Sequence, residues 1–199
     1  MVGAGVQVKT GRVDVPDRRR MSKVLYSATM SLDGYIAGPG GDMSWLAPYL
    51  GPNPEIDALQ RRIGALLIGA RTLSGDDPNR GTDKEGAFSG TWTGPSFVVT
   101  HHPPAQPVDG VEFLPDVRAG LAAARAAAGD GYVNILGADI ARQCLELGEL
   151  DEVLAIIAPV LLGDGTPLFH HPGGRSVRLE RISAETAPLA TNVWMRVVR

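Results

Sequence analysis

Two periodicities alternate along the chain. Apolar runs of strand length recur at Lys23–Met30 (KVLYSATM), Gly64–Gly69 (GALLIG), Ser96–Thr100 (SFVVT), Val111–Leu114 (VEFL), Tyr132–Leu136 (YVNIL) and Leu150–Pro159. Between them lie stretches with helical spacing. Pro54–Ile63 puts Ile56, Leu59 and Ile63 on one face, with Asn53 at the N-cap position. Val117–Ala128 is rich in alanine and ends at Gly129-Asp130-Gly131. After Gly137-Ala138 a third helix carries Ile140, Cys144, Leu145 and Leu147 on one side, and Gly148 stands where a C-cap glycine belongs. Gly64–Gly69 is apolar throughout, as a strand buried on both faces is. Val177–Glu185 and Asn192–Val198 alternate and predict a closing antiparallel pair. Strands alternating with helices, then strands alone, predict an α/β fold: a mixed, mainly parallel sheet with helices on both faces and an antiparallel C-terminal hairpin.

The breaks between these elements are uneven. Gly38-Pro39-Gly40-Gly41 interrupts the chain soon after the first strand, and Asp42-Met43-Ser44-Trp45-Leu46 follows. The polar stretch from Asp76 to Gly94 is long for a connection in a compact domain, which marks it as a binding loop or lid. Leu161–Phe169 is a glycine-bearing connection. Residues 1–22 differ from the rest: Met1–Arg20 holds three glycines, a proline and Arg18-Arg19-Arg20, with no long apolar segment. It reads as a flexible leader rather than a secretory signal. Met21-Ser22-Lys23 resembles a second start, and residues 23–199 are expected to form one domain.

Composition narrows the class. A chain of 199 residues, 44% hydrophobic, can bury a full core. The net charge of −3, with no stripe of interleaved basic and aromatic residues, argues against nucleic acid as a partner. No apolar run nears the roughly 18 residues of a membrane span. A single cysteine, Cys144, rules out an intrachain disulfide framework and fits the cytoplasm. Its place on a helix face reads as a small core residue, with a catalytic thiol as the weaker alternative. No Cys/His cluster has zinc-ligand spacing, so no metal is expected.

Three strand ends carry candidate chemistry. Tyr132–Leu136 turns through Gly137 and Ala138 directly into a helix. Such a turn aims free backbone N–H groups and the positive end of the helix dipole past the strand end, which suits a phosphate. It is also what an ordinary βα turn that binds nothing looks like. Arg71 and Thr72 stand at the end of Gly64–Gly69, where open α/β sheets bind ligands, and arginine can grip a phosphate through its planar fork. Thr100 and His101 end the next strand and either face a phosphate or sit in a polar loop. Asp33-Gly34 follows the first strand; it is either a tight turn or a carboxylate beside a ligand. Trp45, next to the glycine-rich loop, is core or covers a flat ring.

Five segments together resemble the dihydrofolate reductase-like superfamily, nearest to the reductase domain of the bifunctional riboflavin-biosynthesis deaminase/reductase and its stand-alone relatives. They are MSLDGYIA (Met30–Ala37), LLIGARTLSGDDP (Leu66–Pro78), FVVT (Phe97–Thr100), ILGADIARQCL (Ile135–Leu145) and PVLLGDGTPLF (Pro159–Phe169), in the family's order. The resemblance implies NADPH as cofactor. It assigns cofactor contact to Thr72 and Asp76, the pyrophosphate loop to Gly137, Ala138, Asp139 and Ile140, and an adenosine-phosphate contact to Thr100, with Arg71 and His101 beside them. It brings Asp33 close to the nicotinamide and the substrate, as the residue that orients the substrate or relays a proton, with Tyr35 and Trp45 on the substrate side. It further implies a homodimer, and Val193, Trp194 and Val197 look exposed enough to contribute to it.

The chain also departs from the pattern. Tyr35 stands where riboflavin-pathway relatives carry Lys or Arg, Asn79-Arg80-Gly81 replaces a Leu-Thr-x-Arg segment, and Leu136 replaces an acid. Trp45–Leu50 lacks the acid that dihydrofolate reductases place in their first helix region, and Ala138 replaces a glycine. The expected activity is an NADPH-dependent reductase of a pyrimidine- or pterin-like heterocycle, of the 5-amino-6-(5-phosphoribosylamino)uracil reductase type. Two alternatives are a reductase acting on dihydrofolate or a small carbonyl compound, and a non-enzymatic NADPH-binding sensor.

Overall fold

The computed structural model describes residues 22–174 and 176–199. The leader expected over residues 1–22 lies outside them apart from Ser22, which is buried and donates to the Gly129 carbonyl at 2.7 Å.

Eight strands form one sheet. In chain order they are β1 (Val24–Ser31), β3 (Ile63–Gly69), β4 (Ser96–Val99), β5 (Val111–Leu114), β6 (Tyr132–Leu136), β7 (Glu152–Ala158), β9 (Leu179–Ala187) and β10 (Ala190–Val197). Their spatial order is β5-β4-β3-β6-β1-β7-β10-β9. Every pairing is parallel up to β7, and β10 then runs antiparallel to both β7 and β9. The expected α/β architecture with its antiparallel C-terminal hairpin is therefore present. A second small sheet, unforeseen in the sequence, pairs β2 (Tyr35–Ala37) with β8 (Thr166–Pro167). Gly165 makes that pairing possible: its φ is +137°, and a Cβ there would sit 2.0 Å from the Ala37 carbonyl oxygen.

Alternation along the strands separates two cores. Val24, Tyr26, Ala65, Leu67, Val133 and Ile135 face α3 (Val117–Ala128) and α4 (Ala138–Glu146), which contribute Leu121, Ala124, Ile140 and Cys144. Leu25, Leu66, Ile68 and Leu154 face the other way, toward Leu59 and Ile56 of α1 (Pro54–Gln60) and toward Ala87, Phe88 and Trp92 of the long loop. The two helices on one face have the local signals they need. Asp116 caps α3 by accepting from the Ala119 N–H at 2.9 Å. Gly148, at φ +69°, follows α4.

Two local expectations change. Asn53 sits at the N-cap of α1, but its side chain makes no cap bond. Instead it exchanges two amide hydrogen bonds, at 2.9 and 2.8 Å, with buried Asn192 of β10. Trp194 is buried rather than exposed, and Val193 and Val197 are half-buried. The Trp194 indole donates at 2.9 Å to Glu152, a buried carboxylate that also accepts from Tyr132 and Lys23. The exposed apolar side chains of this region lie instead on the edge strand and its turn, at Leu179, Ile182 and Leu189.

Candidate active site

The sheet leaves a cleft at the carboxyl ends of β3, β4, β6 and β1, about 1650 Å³ in volume. That exceeds the about 300–1,000 Å³ of a pocket for one small ligand, so two ligands can lie side by side.

One half of the cleft is built on three strand ends. The chain leaves β3 into a single helical turn, α2 (Ala70–Leu73), which brings Arg71 and Thr72 to the rim. It leaves β6 through Gly137, whose φ of +117° only glycine adopts without strain. A Cβ on Gly137 would lie 2.7 Å from Thr72 Oγ1, so the two strand ends are in contact. Gly137 is also the N-cap of α4 and offers no side-chain acceptor, so the first N–H groups of that helix lack a side-chain cap. Ala138, Asp139 and Ile140 all line the cleft there. Ala138 is the first residue of α4, so its methyl group is accommodated where a relative would carry glycine.

The Asp139 carboxylate turns back along its own helix, accepting from Arg142 at 2.7 Å and Gln143 at 2.8 Å. Desolvation raises its pKa, but those hydrogen bonds, with the charges of Arg142 and Arg71, outweigh it and hold the group below its ordinary value. Its backbone N–H is therefore what the residue offers to an anion. Thr100, His101 and His102 continue this half at the end of β4, where Thr100 Oγ1 accepts from the His102 N–H at 3.1 Å. Asp76 lines the cleft as well and accepts from the Met43 N–H at 3.1 Å. It thus ties the long loop to the glycine-rich loop.

The other half is lined by Ser27 and Thr29 of β1, Ile36 of β2, Tyr49, α1 and Ile156 of β7, with Leu189 of the final hairpin turn at its edge. Within α1, Asp57 and Gln60 face the cleft. Trp45–Leu50 holds no acid, as expected, and Asp57 is an acid of α1 that lines the cleft. Asp57 is not singled out in the sequence; it follows Ile56 in α1 and falls outside the buried stripe of that helix.

All nine residues expected to hold a cofactor, Arg71, Thr72, Asp76, Thr100, His101, Gly137, Ala138, Asp139 and Ile140, line this cleft. The three expected on the substrate side do not. Asp33 turns away to the Leu161–Phe169 connection, where its carboxylate accepts from the Leu162 N–H at 3.1 Å and the Gly163 N–H at 2.7 Å. A hydrogen bond from Ser31 and these backbone bonds lower its pKa to about 2. Tyr35 alternates with Ile36 along β2, and it is Ile36 that faces the cleft. Trp45 packs behind Tyr49, ring centroids 6.4 Å apart, and Tyr49 forms the wall.

Comparison with known proteins agrees with this geometry. Residues 22–111 match the family described as the RibD C-terminal domain. No curated protein gives a significant match. Among solved structures, a Shewanella sp. PV-4 protein assigned by name to riboflavin biosynthesis superposes with a TM-score of 0.69 at 24% identity, over 89% of this chain and 99% of that one. The riboflavin biosynthesis reductase of Saccharomyces cerevisiae does so at 0.56 and 16% identity, over 89% of this chain and 90% of that one. Dihydrofolate reductase from Enterococcus faecalis, complexed with NADP(H), does so at 0.58 and 15% identity, over 89% of this chain and 98% of that one. The chain thus shares the fold of these solved structures, and its residues 22–111 are similar to the RibD C-terminal domain.

Proposed function

We propose that the chain is an NADPH-dependent reductase of a pyrimidine- or pterin-like heterocycle, of the 5-amino-6-(5-phosphoribosylamino)uracil reductase type. The observation that carries this reading is the junction of Thr72 with Gly137 at the uncapped N-terminus of α4. Backbone N–H groups of Ala138, Asp139 and Ile140, the Thr72 hydroxyl and the Arg71 guanidinium form a donor set fitted to a diphosphate. To Thr100 and His101, which line the cleft beside them, we assign the further phosphate that separates NADPH from NADH. The cofactor, when bound, supplies the hydride; the protein orients the two partners and keeps water out.

The heterocycle lies in the half of the cleft between Thr29, Ile36, Tyr49 and α1. Asp57, the acid of α1 that lines this half, is assigned the proton transfer that accompanies reduction. The glycine-rich loop and the long loop close over the site, joined through Asp76 and Met43. We assign the protein to the cytoplasm; among the described residues no helix is long and apolar enough to cross a membrane. We also assign it as a homodimer, supported by the exposed Leu179, Ile182 and Leu189.

The test is calorimetric titration with NADPH and NADH, followed by NADPH oxidation at 340 nm with 5-amino-6-(5-phosphoribosylamino)uracil as the hydride acceptor. Preferential binding of NADPH is expected. No heat with either nucleotide sinks the reading. Light scattering reads the dimer, and a monomer mass at micromolar concentration refutes it.

A further inference from the structure

Buried in the centre of the sheet is a polar pair, Ser27 and Asn134, among apolar neighbours. Asn134 stands in the middle of β6 at 0% exposure. Its sequence neighbours are Val133 and Ile135, and its register partners on the flanking strands are Leu25 and Leu66. A carboxamide in such surroundings is costly to desolvate, and an aliphatic side chain would suit the position better. Asn134 Oδ1 accepts from the Ser27 hydroxyl at 2.8 Å. Asn134 Nδ2 has no hydrogen-bond partner among the described residues. Ser27, 9% exposed, lines the floor of the cleft on the face that holds α1.

The bond fixes the polarity of that floor. Ser27 has one hydrogen, and it is spent on Asn134. What Ser27 can still offer is lone pairs. The ligand atom above it must then be a donor, an N–H of a ring or of an exocyclic amine, because an opposed acceptor would leave two unpaired oxygens in a dry site.

We propose that Ser27, oriented by Asn134, is a specificity-determining residue that selects a heterocycle presenting an N–H donor to the cleft floor. Ser27 makes the contact, and Asn134 acts through it as a positioning residue. This rests on the reading of the cleft as a heterocycle site.

The experiment uses the full chain saturated with NADPH and two probes: 2,4-diaminopyrimidine, which carries N–H donors, and 2,4-dimethoxypyrimidine, the same ring without them. Binding is read from quenching of the bound NADPH fluorescence. The unmodified protein should prefer the diamino ring by about tenfold, the worth of one good hydrogen bond. Ser27→Ala and Asn134→Leu should each abolish that preference while leaving NADPH affinity unchanged. The double variant Ser27→Ala/Asn134→Leu should melt no lower than the parent, since replacing both members of a buried polar pair by apolar groups is close to neutral. A lower melting temperature in the double variant would mean that the pair serves the fold and would overturn the proposal. So would equal affinity for the two rings in the parent, or a preference that survives Ser27→Ala. If NADPH binds and neither ring does, the heterocycle reading falls, and this proposal falls with it. If both rings bind without preference, only this proposal falls.

Discussion

Asp33 Oδ2 accepts from the Gly163 N–H at 2.7 Å, joining the turn after β1 to a loop 130 residues further on. With the Leu162 N–H on the other oxygen, one carboxylate closes two backbone donors that a glycine-bearing loop would otherwise leave to solvent. The aspartate of MSLDGYIA is thus a clamp between two loops. The strand it follows delivers Ser27 and Thr29 to the cleft instead.

The clamp has a pH signature. The folded-state pKa of Asp33 lies near 2, below the ordinary 3.8, because Ser31 and the two backbone N–H groups favour the charged form. Its contribution is therefore fully present above about pH 4 and is lost as pH falls toward 2. Asp33→Ala should lower the thermal midpoint at pH 6, and the gap to the parent should narrow steadily at pH 4 and pH 3. A gap independent of pH would show that the charge is not what holds the loop.

The N-terminus of α4 can be tested without disturbing the turn. Gly137 is a poor site for this, since any side chain there is strained at φ +117° and meets Thr72. Ala138→Glu adds an acid to the first turn, where the helix dipole favours it, yet sets negative charge at the place assigned to the diphosphate. The variant should melt at or above the parent and bind NADPH at least about tenfold more weakly, about 1.4 kcal/mol. Normal affinity would remove the phosphate from that helix end.

Asp76 distinguishes a strap from a ligand. Asp76→Ala removes the acceptor of the Met43 N–H. Hydrogen exchange at Met43 should quicken, while NADPH affinity changes less than about threefold. A large loss of affinity with unchanged exchange would instead make Asp76 a cofactor contact.

Glu152 bears on stability far from the cleft. Its carboxylate serves Lys23, Tyr132 and Trp194 at the opposite end of the strands, and Arg62 stacks 4.9 Å from the Tyr132 ring centroid. Burial, followed by the Glu152 charge, raises the Tyr132 pKa to about 12. Glu152→Ala strands the Tyr132 and Trp194 donors in the interior and should cost about 3 kcal/mol. That corresponds to a drop of roughly 6–12 °C in melting temperature for a domain of this size. NADPH binding should be unaffected, and calorimetry reads both.

Burial also predicts the behaviour of Cys144. It is 0% exposed, and desolvation pushes its thiol up to about 12. Thiol reagents should leave it untouched at pH 8 until the protein unfolds. Fast labelling of the folded chain would contradict the packing of α4 on the sheet.

The order of strands and helices, the buried β3 and the group of strand-end residues that line one half of the cleft were all legible in the sequence. Each is a local matter: apolar periodicity decides the element, a cap or a glycine ends it, and the residues just past a parallel strand stand at its carboxyl end wherever the strand lies in the sheet. That is why Arg71, Thr72, Thr100 and Gly137–Ile140 could be named from short stretches of chain. The lining of the other half was not legible, because it depends on which distant segments meet. Whether Asp33 reaches the cleft is decided by the Leu162 and Gly163 N–H groups beside it. Whether Asn53 caps α1 is decided by Asn192, and the burial of Trp194 by Glu152 on the adjacent strand. Periodicity says that a residue leaves its strand or helix; only the packed sheet says what it finds there.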